Sequence, residues 1–109
     1  MKIKLAKSEV IHFVGIGGIG MSGLALVMSR MGFEVQGSDI SINKNIERLN
    51  DKKVKIFLNH KRENIKKTTV LVISSAIKKS NPEIQEAIKK KLPIYTRGDM
   101  LGHIVSFMR

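Results

Sequence analysis

A chain of 109 residues, 42% hydrophobic and 27% charged, has the length of one domain and the composition of a soluble globular one. It has no cysteine, which excludes disulfides, thiolate metal sites and cysteine nucleophiles, and no apolar run approaches the roughly 18 residues of a membrane span. The net charge of +11 is scattered in Lys52-Lys53, Lys66-Lys67, Lys78-Lys79 and Lys89 to Lys91 without interleaved aromatics, so it reads as a solvated basic surface that favours anionic ligands rather than as a nucleic-acid stripe.

Met1 to Lys7 is basic, but Ser8, Glu9 and His12 interrupt any secretory apolar core, and a cytoplasmic protein is expected. Val10 to Val14 is β-branched and aromatic and runs into glycine, the pattern of a buried first strand. Gly15, Gly17 and Gly20 then match G-x-G-x-x-G, with Gly18 as an extra glycine. In that pattern the first glycine permits a sharp turn, the second lets a phosphate approach the main chain, and the third lets the following helix lie close to the sheet. The start of that helix offers free N–H groups and the positive end of its dipole to an anion. A helix is predicted from about Gly20 to Met31, with Leu24, Val27, Met28 and Met31 toward the sheet and Gly32 ending it.

Phe33 to Gly37 predicts a second strand ending in Ser38-Asp39. A carboxylate about 20 residues beyond the glycines suits ribose hydroxyls in a dinucleotide fold; it equally suits a turn aspartate before the polar loop of Ser41, Asn43 and Asn45. A short helix over Asn43 to Asp51 precedes a third strand, Val54 to Leu58, which is followed by Asn59-His60. His60 is a candidate ligand contact or simply an exposed turn histidine, and nothing near it has metal-ligand spacing.

Thr69 to Ser74 is the most apolar segment and reads as a central strand, continued by Ser75-Ala76-Ile77. Asn81-Pro82-Glu83 opens the next helix, with Asn81 as cap and Pro82 at the first helical position. Ile84, Ala87 and Ile88 form its apolar stripe. Pro93 to Thr96 is a fifth strand, and Arg97 begins a last helix carrying Leu101, Ile104, Val105 and Met108. A guanidinium at that strand end suits a phosphate or carboxylate.

Five strands alternating with helices predict an α/β fold: a Rossmann-like, doubly wound, parallel five-stranded sheet in one domain, with strand order 3-2-1-4-5. The glycine turn, Ser38-Asp39, Asn59-His60, Ser74 to Ala76 and Arg97 would then end strands along one edge, where such sheets bind ligands.

The run His12 to Gly23, with Gly37-Ser38-Asp39, Asn59-His60, Ser74 to Ile77, Asn81-Pro82-Glu83 and Pro93 to Leu101, closely resembles the N-terminal domain of the Mur ligases, in particular the members that join L-alanine to UDP-N-acetylmuramic acid. The resemblance covers roughly residues 9 to 109. It implies a cytoplasmic enzyme of peptidoglycan synthesis whose first domain binds the UDP part of the substrate. A central domain carries a Gly-Lys-Thr loop for ATP and Mg²⁺, and a third domain helps to bind L-alanine. The muramoyl carboxylate is activated as an acyl phosphate, which the amine of L-alanine attacks.

On this reading residues 1–109 are the UDP-binding domain, a fragment that binds nucleotide-sugar without ligating alone, because no G-x-x-x-x-G-K-[ST] loop occurs in them. The expected substrate contacts are Gly15, Gly17, Gly18, Ile19, Gly20, Met21, Ser22, Ser38, Asp39, His60, Ser75, Ala76, Ile77 and Arg97, with the N–H groups of Met21 and Ser22 on the diphosphate. No catalytic residue, metal ligand, resident cofactor, nucleic acid or membrane partner is expected here. The rival is an NAD(H)-binding domain of an oxidoreductase or regulatory sensor, which shares the glycine fingerprint and the acidic residue after the second strand. Gly18, Met21 and the Ser-Ser-Ala-Ile segment favour the ligase pattern.

Overall fold

The computed structural model describes residues 3–50 and 52–107. The expected helix end at Asp51 and the apolar contribution of Met108 lie outside the described residues. Strand β1 (Val10–Val14) leads into helix α1 (Ile19–Arg30). Strand β2 (Glu34–Asp39), helix α2 (Lys44–Asn50) and strand β3 (Lys55–Leu58) follow. After a 3-10 turn (Arg62–Ile65) come β4 (Val70–Ile73), α3 (Pro82–Lys89), β5 (Ile94–Thr96) and α4 (Arg97–Phe107). The strands form one all-parallel sheet in the order β3-β2-β1-β4-β5, as the alternation of elements predicts. The alternation itself fails once, because β3 connects to β4 through the single 3-10 turn and no α-helix.

Side chains alternate across each strand, and this divides the core into two layers. Ile11 and Phe13 of β1, Val35 of β2 and Val72 of β4 meet Leu24 and Met28 of α1, Ile46 and Leu49 of α2, and Met100 and Ile104 of α4. On the opposite face Val14 and Leu71 meet Ile65, Ile84 and Ala87, from the 3-10 turn and α3. The apolar stripe of α4 is therefore Met100 and Ile104, while Leu101 and Val105 are exposed.

The helix ends are built locally. Helix α1 closes with Phe33 N–H donating to Met28 O and Gly32 N–H to Ser29 O, with Gly32 at φ +98°, the Schellman arrangement that a glycine favours. Helix α3 closes in the same way, Leu92 N–H to Ala87 O and Lys91 N–H to Ile88 O, with Lys91 at φ +58°. At its start Asn81 accepts the Glu83 N–H at 2.9 Å. Helix α4 starts on a reciprocal cap, Asp99 N–H to Thr96 Oγ1 at 3.1 Å and Thr96 N–H to Asp99 Oδ2 at 3.3 Å.

Candidate functional site

All five strands point their C-terminal ends to one edge, and the end of β2 with the segments that follow the other strands carries every residue expected to contact a ligand. At the centre is the β1–α1 turn. Gly15 takes φ +84°, which suits a residue without Cβ. The N–H groups of Gly15 and Ile16 both reach Ser38 O, and Gly18 N–H donates to Gly15 O.

Gly17 is held on both sides of its backbone. Its N–H donates to Asp39 Oδ2 at 2.8 Å, and its carbonyl accepts from Asn43 Nδ2 and Asn45 Nδ2, each at 3.0 Å. A Cβ here would stand 2.8 Å from Asp39 Oδ2 and 3.0 Å from Ile46 Cδ1. Asp39, Asn43 and Ile46 thus occupy the space that a side chain at position 17 would need. Asp39 uses its second oxygen on Ile40 N–H, so its carboxylate braces the turn.

Helix α1 has no side-chain cap and no acidic residue in its first turn. Its first internal hydrogen bond is Ser22 N–H to Gly18 O at 2.8 Å, which leaves the N–H groups of Ile19, Gly20 and Met21 without an intrahelical acceptor. Of the two N–H groups expected at the diphosphate, that of Met21 is among these three and that of Ser22 is not. The Ser22 N–H belongs to the helix and its hydroxyl donates to Ile19 O, so the free donors sit at Ile19 to Met21. Arg97, leading α4, lies against this helix start: a Cβ on Gly20 would be 2.9 Å from Arg97 Cδ and 3.0 Å from its Nε. Gly20 therefore makes room for an arginine side chain. Three free N–H groups, the positive end of α1 and a guanidinium converge there, a combination suited to a phosphate.

Below the β2 and β3 ends is a buried polar network that sequence reading missed. His12 and Glu83 are both fully buried, with His12 Nε2 2.8 Å from Glu83 Oε1. Gln36 Nε2 contacts His12 Nδ1 at 2.7 Å and Asn64 O at 2.8 Å. Because a backbone carbonyl only accepts, this amide orientation makes His12 Nδ1 an acceptor and puts the ring proton on Nε2. Ser38 Oγ donates to Glu83 Oε1 at 2.5 Å, and His60 Nδ1 lies 2.8 Å from Ser38 Oγ. Asn64 Nδ2 and Lys61 N–H occupy the other carboxylate oxygen at 2.6 and 3.2 Å.

Burial alone would push the Glu83 carboxyl up, yet the hydrogen bond and electrostatic attraction of His12, with hydrogen bonds from Ser38 and Asn64, hold it below the usual carboxylate range. One signal was available beforehand: His12 and Gln36 are polar interruptions in strands covered on both faces, where apolar runs are the rule. Their partners, far away in the chain, had none.

The structure brings Ser38 and His60 into this network, with the His60 ring largely covered. Ser75 and Ala76 are exposed beyond β4, whereas Ile77 tucks beneath the turn, its Cδ1 3.1 Å from where a Gly15 Cβ would be. A cavity of about 150 Å³ opens between α1 and α2, lined by Ile19, Ser22, Asn45 and Arg48 among others. Among the described residues no group of three His, Asp or Glu is placed to hold a metal ion, and no helix is long and apolar enough to cross a membrane.

Residues 10–109 match the family model described as Mur ligase family, catalytic domain. The chain belongs to the Mur ligase family. A UDP-N-acetylmuramate–L-alanine ligase of Pelagibacter ubique is 66% identical over the whole chain, and one of Brucella ovis 48% identical over 92% of it; these matches cover 24% and 21% of the relatives. The crystal structure of the Thermotoga maritima UDP-N-acetylmuramate-alanine ligase superposes with a TM-score of 0.85 at 34% identity, covering 88% of this chain and 22% of that one. A Neisseria meningitides UDP-N-acetylmuramate:L-alanyl-gamma-D-glutamyl-meso-diaminopimelate ligase gives 0.76 at 26% identity, over 83% and 29%. The chain thus spans about a quarter of the length of the Mur ligases it matches.

Proposed function

We propose that residues 1–109 are the N-terminal, UDP-binding domain of a UDP-N-acetylmuramate–L-alanine ligase acting in peptidoglycan synthesis. The observation that carries the reading is the 66% identity, over the whole chain, to a relative of that name. The geometry supports it. The diphosphate sits on the N–H groups of Ile19, Gly20 and Met21 with Arg97 beside it, and uridine lies along Ser38, Asp39, His60 and Ser75 to Ile77. Gly15, Gly17 and Gly18 shape the turn, and Ser22 anchors the first turn of α1. Asp39 is engaged with two backbone N–H groups, which favours a bracing role over the ribose contact of an NAD(H) domain.

We assign no general base or nucleophile to residues 1–109. We assign ATP, Mg²⁺ and L-alanine to parts of the full-length ligase outside residues 1–109, and the isolated domain does not ligate. Calorimetric titration with UDP-N-acetylmuramic acid and, separately, NADH tests the assignment. Heat from the UDP-sugar alone is expected, weakened at least tenfold by Arg97→Ala, the scale of a charge-assisted hydrogen bond. Binding of NADH without the UDP-sugar would overturn it.

A further inference from the structure

Every partner of the Glu83 carboxylate is a donor. His12 Nε2 and Ser38 Oγ serve one oxygen; Asn64 Nδ2 and Lys61 N–H serve the other. An ionised carboxylate only accepts, so the single hydrogen of the Ser38 hydroxyl, 2.5 Å away, is directed to Glu83. Ser38 Oγ is then an acceptor toward His60 Nδ1 at 2.8 Å, and that nitrogen must carry a hydrogen. The neutral His60 ring therefore has one form, Nδ1–H with a bare Nε2. Among the described residues Nε2 makes no hydrogen bond, and it is not among the buried polar atoms left without a partner. It is the ring atom left open at the strand-end edge. The main chain beside it is fixed to the same carboxylate through Lys61 N–H.

We infer that Glu83 is a positioning residue: acting through Ser38, it fixes His60 as a hydrogen-bond acceptor, so that the edge of the sheet selects a ligand bearing an N–H or O–H at that point. The identity of the ligand rests on the uridine nucleotide reading above, in which the donors on offer are the imide N–H of uracil and the ribose hydroxyls. The orientation of His60 does not rest on it.

The wild-type chain tests this directly. Long-range proton–nitrogen correlation at pH 8 is expected to report His60 as Nδ1–H. Glu83→Ala removes the acceptor of the Ser38 hydrogen. The hydroxyl then turns to donate to His60 Nδ1 while it accepts from His12 Nε2, 3.4 Å away, which moves the ring proton to Nε2. The expected result is an Nε2–H signature for His60 and UDP binding about tenfold weaker, the scale of one hydrogen bond.

A wild-type Nε2–H ring, or an unchanged ring in folded Glu83→Ala, overturns the inference. Should that variant not fold, wild-type titrations with N3-methyl-UDP, 2′-deoxy-UDP and 3′-deoxy-UDP replace it. At least one should bind about tenfold more weakly than UDP, and that difference should vanish in His60→Ala. Equal affinity for all four nucleotides overturns the acceptor role. An Nδ1–H ring in a chain that binds no UDP overturns the uridine reading alone and leaves the positioning of His60 standing.

Discussion

At the scale of single residues, neighbouring glycines do different work. Gly17 is enclosed by Asp39, Asn43 and Ile46, whereas a Cβ on Gly18 meets nothing closer than 3.6 Å and its φ of −64° suits any residue. Gly17→Ala should therefore cost about 1–3 kcal/mol by overpacking and loosen the turn, while Gly18→Ala should melt like wild type. Urea unfolding of the pair measures the contrast, and equal stabilities would show that the clamp on Gly17 is slack. Glu83 is the second residue with an outsized role. Removing it as Glu83→Ala takes the acceptor from three buried donors and from the Lys61 N–H, at a cost on the order of a few kcal/mol. Its carboxyl ionises below the usual value of about 4.3, so as pH falls the unfolded chain takes up this proton first. The stabilisation is complete above that pH and disappears as pH falls through the lower, folded value. Melting temperature should accordingly drop between these two points in wild type and stay flatter there in Glu83→Gln; parallel curves would remove Glu83 from the acid response. The glycine motif was legible because its turn is local. The role of Glu83 was not, because His12 and Glu83 are 71 residues apart and the Asn-Pro-Glu segment reads locally as nothing more than a capped helix start.

At the scale of elements, strand order followed from alternation and the start of α3 from its capping residues, and the departures have physical causes. The β3–β4 link contains too few apolar residues at helical spacing to cover the sheet, so a 3-10 turn inserts Ile65 alone into that layer. The exposure of Leu101 and Val105 on α4 follows from Met100 and Ile104 docking on α1, a choice of face that periodicity alone leaves open. Helix ends are where the sequence departs from preferred chemistry. Lys91 occupies the left-handed position after α3 that Gly32 fills after α1, and a side chain there costs about 1–2 kcal/mol. Glycine also gains entropy in the unfolded chain, which offsets part of the gain. Lys91→Gly should stabilise the chain by about 0.5–1 kcal/mol in thermal melts, with ligand binding unchanged. A loss of stability would mean that the Lys91 side chain contributes more at the helix terminus than its strained backbone costs.

At the scale of the whole molecule, the chain carries 20 basic and 9 acidic residues, while among the described residues the cationic elements at the proposed diphosphate site are one guanidinium and one helix start. The two contributions differ in range. At physiological ionic strength charges farther apart than about 8 Å are largely screened, so in the proposed complex lysines scattered over the surface would act on the diphosphate weakly, while Arg97 and the N–H groups of Ile19 to Met21 would act at contact. Raising salt from 50 to 500 mM should thus weaken UDP binding several-fold, then level off once the surface term is screened. Uridine, which has no phosphate, should bind with little salt dependence at all. In Arg97→Ala the fall with salt should persist from a weaker starting affinity, because the distant lysines are still present. Titrations of both ligands across that range separate the terms. A steep salt dependence for uridine would place the basic surface, rather than the diphosphate, at the origin of the effect. A flat response for UDP would show that the excess charge takes no part in binding.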